Sequence, residues 1–351
     1  MTVSAFEHPF LSSLAGDDEV AALLSIDVEI AAMLAFEHAL AAAEAEHGVI
    51  PAEAASAIGR AIEGFTPDIG ALRESTARDG VVVPEFVRQL KRAVGSPYES
   101  HLHFGATSQD LIDTALVLRL KPVIDCIAKR IDALDGAFAN LAGRFGSNPL
   151  MGRTRMQAAI MVTVADRVES WRAPLARHRE RLDNASAGFL VVQLGGAAGT
   201  LDRFGGKGAA VRASLAGALE IGEAPQWHNQ RDRIVAFADV LSLITGSLGK
   251  FGQDVALLTQ DGTEVALAGG GGSSAMPHKQ NPVQAELLVT LARYNATQLS
   301  GMHHALIHEQ ERSGAAWTLE WMLLPQMVVA SGAALAQGLT LLDALRIHNK
   351  H

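Results

Sequence analysis

The sequence predicts an all-α protein built as a bundle of long helices. Three observations carry that reading. Apolar residues recur in steps of three and four over several long stretches, alternating strand-like runs are scarce, and small residues, alanine above all, are spread throughout. With 351 residues and 48% hydrophobic content, the chain is long enough to bury a large core in one to three domains.

The first long helix is expected over roughly residues 17 to 47. The next starts near Thr107, where the stripe Ile112, Leu116, Leu120, Ile124, Ile127, Ile131, Leu134, Phe138 and Leu141 follows one side of a helix, with Pro122 as a candidate kink. A helix over roughly 154 to 187 comes after it. Between 230 and 260 the residues Ile234, Phe237, Leu241, Ile244, Leu248, Phe251, Val255 and Leu258 form a heptad seam. Gly246, Gly249 and Gly252 lie among them and would admit a neighbouring helix at close range, against a propensity cost of about 1 kcal/mol each. Two more helices are expected over roughly 281 to 306 and 316 to 345.

Charge and cysteine usage exclude several function classes. A net charge of −9 and a pI near 5.8 leave no basic face for a nucleic-acid backbone, so an anionic ligand must be held by a local cluster of cations. Cys126 is the only cysteine, which rules out an intrachain disulfide and a thiolate metal cluster. The N-terminus lacks a basic segment followed by an uninterrupted apolar run, and no stretch of about twenty uncharged apolar residues occurs. The expectation is a soluble cytoplasmic protein without a membrane partner.

The loops carry the chemistry. In "SPYESHLHFGATSQDLIDTA", His101 and His103 precede Gly105, with Thr107, Ser108, Gln109 and Asp110 at a helix start. Thr107 or Ser108 reads as a plain N-cap with Asp110 at the positive end; the other reading is that free N–H groups and hydroxyls bind a carboxylate there. "NPLMGRTRMQAA" sets Arg153, Thr154, Arg155 and Gln157 ahead of another helix, and "VVQLGGAAGTLDRFGG" reads as a tight turn at Gly195, Gly196 and Gly199. In "GGGGSSAMPHKQNP" the serines precede Lys279 by five and six residues with no strand before them, which excludes a phosphate-binding P-loop; the glycines read as hinges of a lid. His304 and His308 with Glu311 share a helix face at metal-ligand spacing, an arrangement equally expected of solvated side chains.

Residues 272–282, Gly-Ser-Ser-Ala-Met-Pro-His-Lys-Gln-Asn-Pro, resemble the signature of the fumarase/aspartase superfamily, and "HFGATSQDLIDTA" and "MGRTRMQ" resemble its first two shared regions in the same order. Together with "WHNQRDRIVAFADV" and "HEQERSGAAWTLEW", they are most similar to the superfamily's carboxymuconate-lactonizing branch. The resemblance implies a long-helix bundle with a smaller N-terminal helical domain over 1–105 and a central domain over 106–351. It also implies a homotetramer with active sites shared between subunits, a small tricarboxylate substrate and no metal or cofactor. Carried over by residue, Ser273 is the general base, with Ser274 the alternative one position on. Lys279 and Asn281 stabilise the enolate, and His103 hydrogen-bonds substrate or orients another group. Thr107, Ser108, Gln109, Arg155, Gln157 and Arg312 bind the substrate's carboxylates, with Arg231 a weaker member of that set.

The chain departs from the superfamily pattern in two ways. Arg155 stands where many relatives carry the histidine that protonates an amine leaving group, and an arginine holds a carboxylate but does not donate protons near neutral pH. A carboxylate leaves or attacks as the anion, so the change favours lactone chemistry over adenylosuccinate cleavage. The alternatives are an adenylosuccinate lyase-like C–N lyase and a noncatalytic structural relative. The superfamily's small C-terminal domain is expected to be missing, since the sequence stops at "LRIHNKH".

Overall fold

The computed structural model describes residues 4–260, 262–272, 274–276 and 279–348. Six short or medium helices come first: α1 (Ser12–Ala15), α2 (Asp18–Leu23), α3 (Ile26–Glu46), α4 (Ala52–Glu63), α5 (Ile69–Asp79) and α6 (Val83–Val94). Then follow α7 (Ser108–Phe145), the antiparallel hairpin β1 (Pro149–Thr154) and β2 (Gln157–Thr163), α8 (Val164–Phe189), α9 (Gly208–Ala218) and α10 (Asp232–Leu258). The last elements are β3 (Val265–Leu267), α11 (Val283–His304), α12 (Gly314–Ala344) and β4 (Leu345–Ile347), with β3 and β4 paired antiparallel.

The core of the molecule is a bundle of α7, α8, α10, α11 and α12, in which α10 packs against α8, α11 and α12. Every residue of the heptad seam on α10 is buried inside this one chain. The seam itself is therefore consumed by packing within the chain. Two of its three glycines work as close-approach points. A Cβ at Gly249 would lie 2.5 Å from that of Ala292, and one at Gly252 would lie 2.5 Å from the Ala285 carbonyl oxygen, whereas Gly246 faces open space. Against the expectation that no stretch is apolar enough for a span, α10 and α12 each carry a window long and apolar enough to cross a membrane by length and composition, but most of each window is buried inside the core. A second cluster of buried side chains gathers α3, α4 and α6 around Phe36, Leu40, Ile58 and Phe86, and takes in Phe204, Val211 and Leu215 from the later half of the chain.

Local chemistry places the ends. Thr107 caps α7, its N–H donating to the Asp110 carboxylate at 2.9 Å. The helix expected from residue 154 begins ten residues later. Thr163 and Asp166 form a reciprocal capping box that starts α8, and residues 149–163 instead make a hairpin. The two turn residues are Arg155 (φ +49) and Met156 (φ +66), which reverses the chain in a left-handed conformation usually given to Asn-Gly. The helix expected over 17 to 47 is broken at Leu24 and Ser25.

Candidate active site

The cluster at the start of α7 is a closely hydrogen-bonded polar constellation. Asp110 is fully buried and accepts from Thr107 N–H, the Gln193 side chain at 2.9 Å, Gly195 N–H at 2.8 Å and Gly196 N–H at 3.0 Å. Its carboxylate thus ties the 193–196 turn to the helix start. Arg312, exposed on the loop before α12, reaches over this platform. Its Nε donates to Gln109 Oε1 at 3.0 Å and its Nη2 to Thr107 Oγ1 at 3.1 Å. Both acceptors are neutral, so the guanidinium keeps its full charge for an anion. Ser108 is the first residue of α7 and is part-exposed. His103, also part-exposed, sits just before this loop with Nδ1 against Glu37 Oε1.

Two expected substrate ligands are redirected by the structure. Gln109 has no exposed surface, and its amide donates to the His228 carbonyl at 2.7 Å while its oxygen takes Arg312, so it positions the arginine and has no free face for substrate. Arg231 is no substrate ligand at all. Its side chain is completely buried, with Nη1 and Nη2 on Asp113 and Nε and Nη2 on Glu320. A guanidinium clamped between two buried carboxylates is part of the core. The metal reading of His304, His308 and Glu311 also fails on geometry. α11 ends at His304, and His308 turns inward to lie 3.4 Å from Glu320 Oε1.

The remaining candidates lie at the other end of the bundle. Arg155 is exposed at the tip of the β1–β2 turn and, with Arg153, Met156, Arg167, Asp254 and Leu258, lines a cavity of about 410 Å³. Gln157 is exposed across the same turn, opposite Thr154. The hairpin is joined to the loop after α10 by the Met151 N–H, which donates to Glu264 Oε1 at 3.0 Å. In that loop Asn281 and Gly271 exchange two backbone hydrogen bonds of 2.9 Å, Lys279 and Ser274 are exposed, and Ser273 lies outside the described residues. A Cβ on Gly270 would come within 2.9 Å of the Asn281 carbonyl oxygen, so this glycine allows the loop to fold back on itself and is not simply a hinge. The 27 residues of α10 run from Arg231, beside the Arg312 cluster, to this end, a distance of about 40 Å. One chain therefore holds two candidate half-sites, at opposite ends of the bundle.

His228, in the segment "WHNQRDR", is not singled out by its sequence context. Its ring is buried against Gly195 and Gly199 with neither nitrogen hydrogen-bonded among the described residues. Burial, then the charges of Arg312 and Arg231, drive its pKa down to about 4, so it is neutral in the ordinary range. Nothing in the sequence signals this, since the turn that covers the ring comes from some thirty residues earlier.

Residues 18–295 match the family model described as lyase. The chain belongs to the lyase family. This lyase is 41% identical to the 3-carboxy-cis,cis-muconate cycloisomerase of Pseudomonas aeruginosa over 89% of its own length and 70% of the relative's. Among solved structures, it is similar to the 3-carboxy-cis,cis-muconate lactonizing enzyme from Pseudomonas putida, with a TM-score of 0.90 and 36% identity over 97% of this chain and 78% of that one. A fumarate lyase from Mesorhizobium sp. BNC1 gives a TM-score of 0.88 at 34% identity, over 95% of this chain and 76% of that one.

Proposed function

We propose that this lyase is a cycloisomerase that interconverts 3-carboxy-cis,cis-muconate and 4-carboxymuconolactone in the breakdown of protocatechuate. The observation that carries the reading is the 41% identity to a cycloisomerase over most of the chain. Arg155 at the hairpin tip supports it. In the lactone-forming direction a carboxylate oxygen bonds to one carbon of a double bond, and a proton is delivered to the neighbouring carbon. In reverse, a base removes that proton, an enolate dianion forms beside a carboxylate, and the C–O bond breaks to release the carboxylate. The leaving oxygen needs no proton, which suits an arginine where amine-releasing enzymes need an acid.

Ser273 is assigned as the base, with Ser274 as the alternative. Lys279 and Asn281, just ahead of the α11 N-terminus, would stabilise the enolate by charge and hydrogen bonding. Arg312, Thr107 and Ser108 are assigned to a second carboxylate, Arg155 and Gln157 to a third. Because these groups occupy opposite ends of one bundle, the complete site requires more than one copy, in keeping with a cytoplasmic homotetramer. Exposed Ile160, Met161, Leu243 and Leu257 supply apolar surface for that contact.

The test is turnover by purified protein in the presence of a chelator. Loss of the ultraviolet absorbance of the conjugated muconate is expected, without cleavage of adenylosuccinate. The opposite pattern would overturn the assignment.

A further inference from the structure

His103 has a left-handed backbone, φ +59, which is uncommon for a residue carrying a side chain and is found where a surrounding structure enforces it. The side chain is 13% exposed, and Nδ1 lies 2.5 Å from Oε1 of Glu37 on α3, whose side chain has no exposure. Among the described residues His103 is the only hydrogen-bond partner Glu37 has, and the other oxygen, Oε2, is buried without one. Two turns further along α3, Glu44 is buried with neither oxygen partnered. Packing alone would favour an apolar side chain at position 37, since an orphaned buried oxygen is a cost that filling volume does not require.

The hydrogen bond has a direct chemical consequence. A carboxylate on Nδ1 fixes that nitrogen as N–H and sets the ring plane, and Nε2 makes no hydrogen bond to any described residue. The charged groups that face the ring are Glu37 from α3, Asp110 from α7 and Lys91 from α6. Asp110 is hydrogen-bonded to Thr107, which is itself a partner of Arg312, so the ring belongs to the same end of the bundle as the exposed guanidinium.

We propose that Glu37 is a positioning residue for His103, holding the imidazole as a donor at both nitrogens so that Nε2–H meets a substrate carboxylate beside Arg312. The proposal rests on the carboxylate-substrate reading given above. The electrostatics agree with the geometry: burial disfavours the imidazolium, but the charge and hydrogen bond of Glu37, followed by the charge of Asp110, outweigh it, and the His103 pKa is raised. A raised pKa means that the donor form is present below the shifted value and is lost as pH rises through it. Glu44 is pushed to about 9 by burial and then by the charge of Glu37, so it is a neutral acid behind the pair.

The experiment is an NMR titration of the His103 ring in the full chain, beside the pH profile of kcat/KM for carboxymuconate. Glu37→Gln is expected to lower the His103 midpoint by at least one unit and to move the alkaline fall of kcat/KM to lower pH by the same amount, about a tenfold loss per unit above the new midpoint. The loss should fall on KM, because a carboxylate contact exists in the ground state. Glu37→Asp should recover part of both effects. Glu44→Gln, which replaces an acid already neutral, should leave the His103 midpoint in place. An unmoved midpoint in Glu37→Gln, or an equal displacement in Glu44→Gln, overturns the proposal. If Glu37→Gln does not fold, the wild-type titration decides, and a midpoint below the ordinary histidine value refutes it. Turnover that persists with an unmoved pH profile sinks this proposal and leaves the cycloisomerase reading standing. Absence of turnover in the wild type sinks that reading and, with it, the substrate contact, while the titration still decides the Glu37 to His103 coupling.

Discussion

Replacing Arg231 by methionine separates a structural arginine from a substrate-binding one. Met fills much of the same volume but leaves Asp113 and Glu320, each at most 2% exposed, facing one another without their shared cation. Breaking a buried ion pair on one side costs about 3–5 kcal/mol, because the remaining charge is stranded in a medium that solvates it poorly. Here two carboxylates are stranded, relieved among the described residues only by Trp317 Nε1, which donates to Asp113 at 3.1 Å, and by His308 beside Glu320. For a chain of 351 residues the unfolding entropy is about 0.7 kcal/mol/K, so a loss of about 4 kcal/mol lowers the melting temperature by roughly 5 °C. Circular dichroism melts and KM measured well below the transition provide the assay. The expected result is a large drop in Tm with KM little changed. Combining Arg231→Met with Asp113→Asn and Glu320→Gln removes all three charges together and should recover most of the lost stability, a non-additivity read directly from the single and triple variants. A single Arg231→Met variant with normal Tm and a strongly raised KM would refute the reasoning and return Arg231 to the substrate site.

Two further outcomes are expected. Arg155→Met and Arg312→Met should each be inactive alone, yet hybrids assembled from both should regain a measurable part of the activity, since mixed assemblies contain some sites with both arginines; a mixture as inactive as either variant would mean the two half-sites do not combine between copies. Glu44 has a pKa of about 9 in the fold against 4.5 unperturbed, so the folded state resists an ionisation that the unfolded chain undergoes freely, and stability is lost as pH rises from about 4.5 to 9. Glu44→Gln should therefore be no more stable than the wild type at pH 4 and should gain on it steadily, by up to about 3 kcal/mol at pH 7. Equal pH dependence of denaturant midpoints for the two proteins would show that Glu44 is not the neutral buried acid described here.

The sequence by itself determined the helical bundle, the family and the identity of the loops that carry chemistry. Helical periodicity is a local property: the stripe from Ile234 to Leu258 is buried along its whole length because a helix leaves those residues no other common face. The cap at Thr107 was legible for the same reason, as its partner Asp110 is only three residues away. The β1–β2 hairpin was not, because Ala158, Ala159, Ile160 and Met161 suit either state, and the reversal depends on left-handed backbone at Arg155 and Met156 that neither residue type announces. Only the tertiary structure decided which polar residues remain available to a ligand. Arg231 and Arg312 look alike in sequence, but Arg231 meets Asp113 and Glu320 from two other helices, whereas Arg312 meets neutral acceptors and retains its charge. The pairing of His103 with Glu37 spans 66 residues, and the separation of Arg155 from Arg312 is set by the length of α10. These are consequences of how helices are placed against one another, and desolvation, which fixes whether a charge serves the core or the substrate, exists only after that placement.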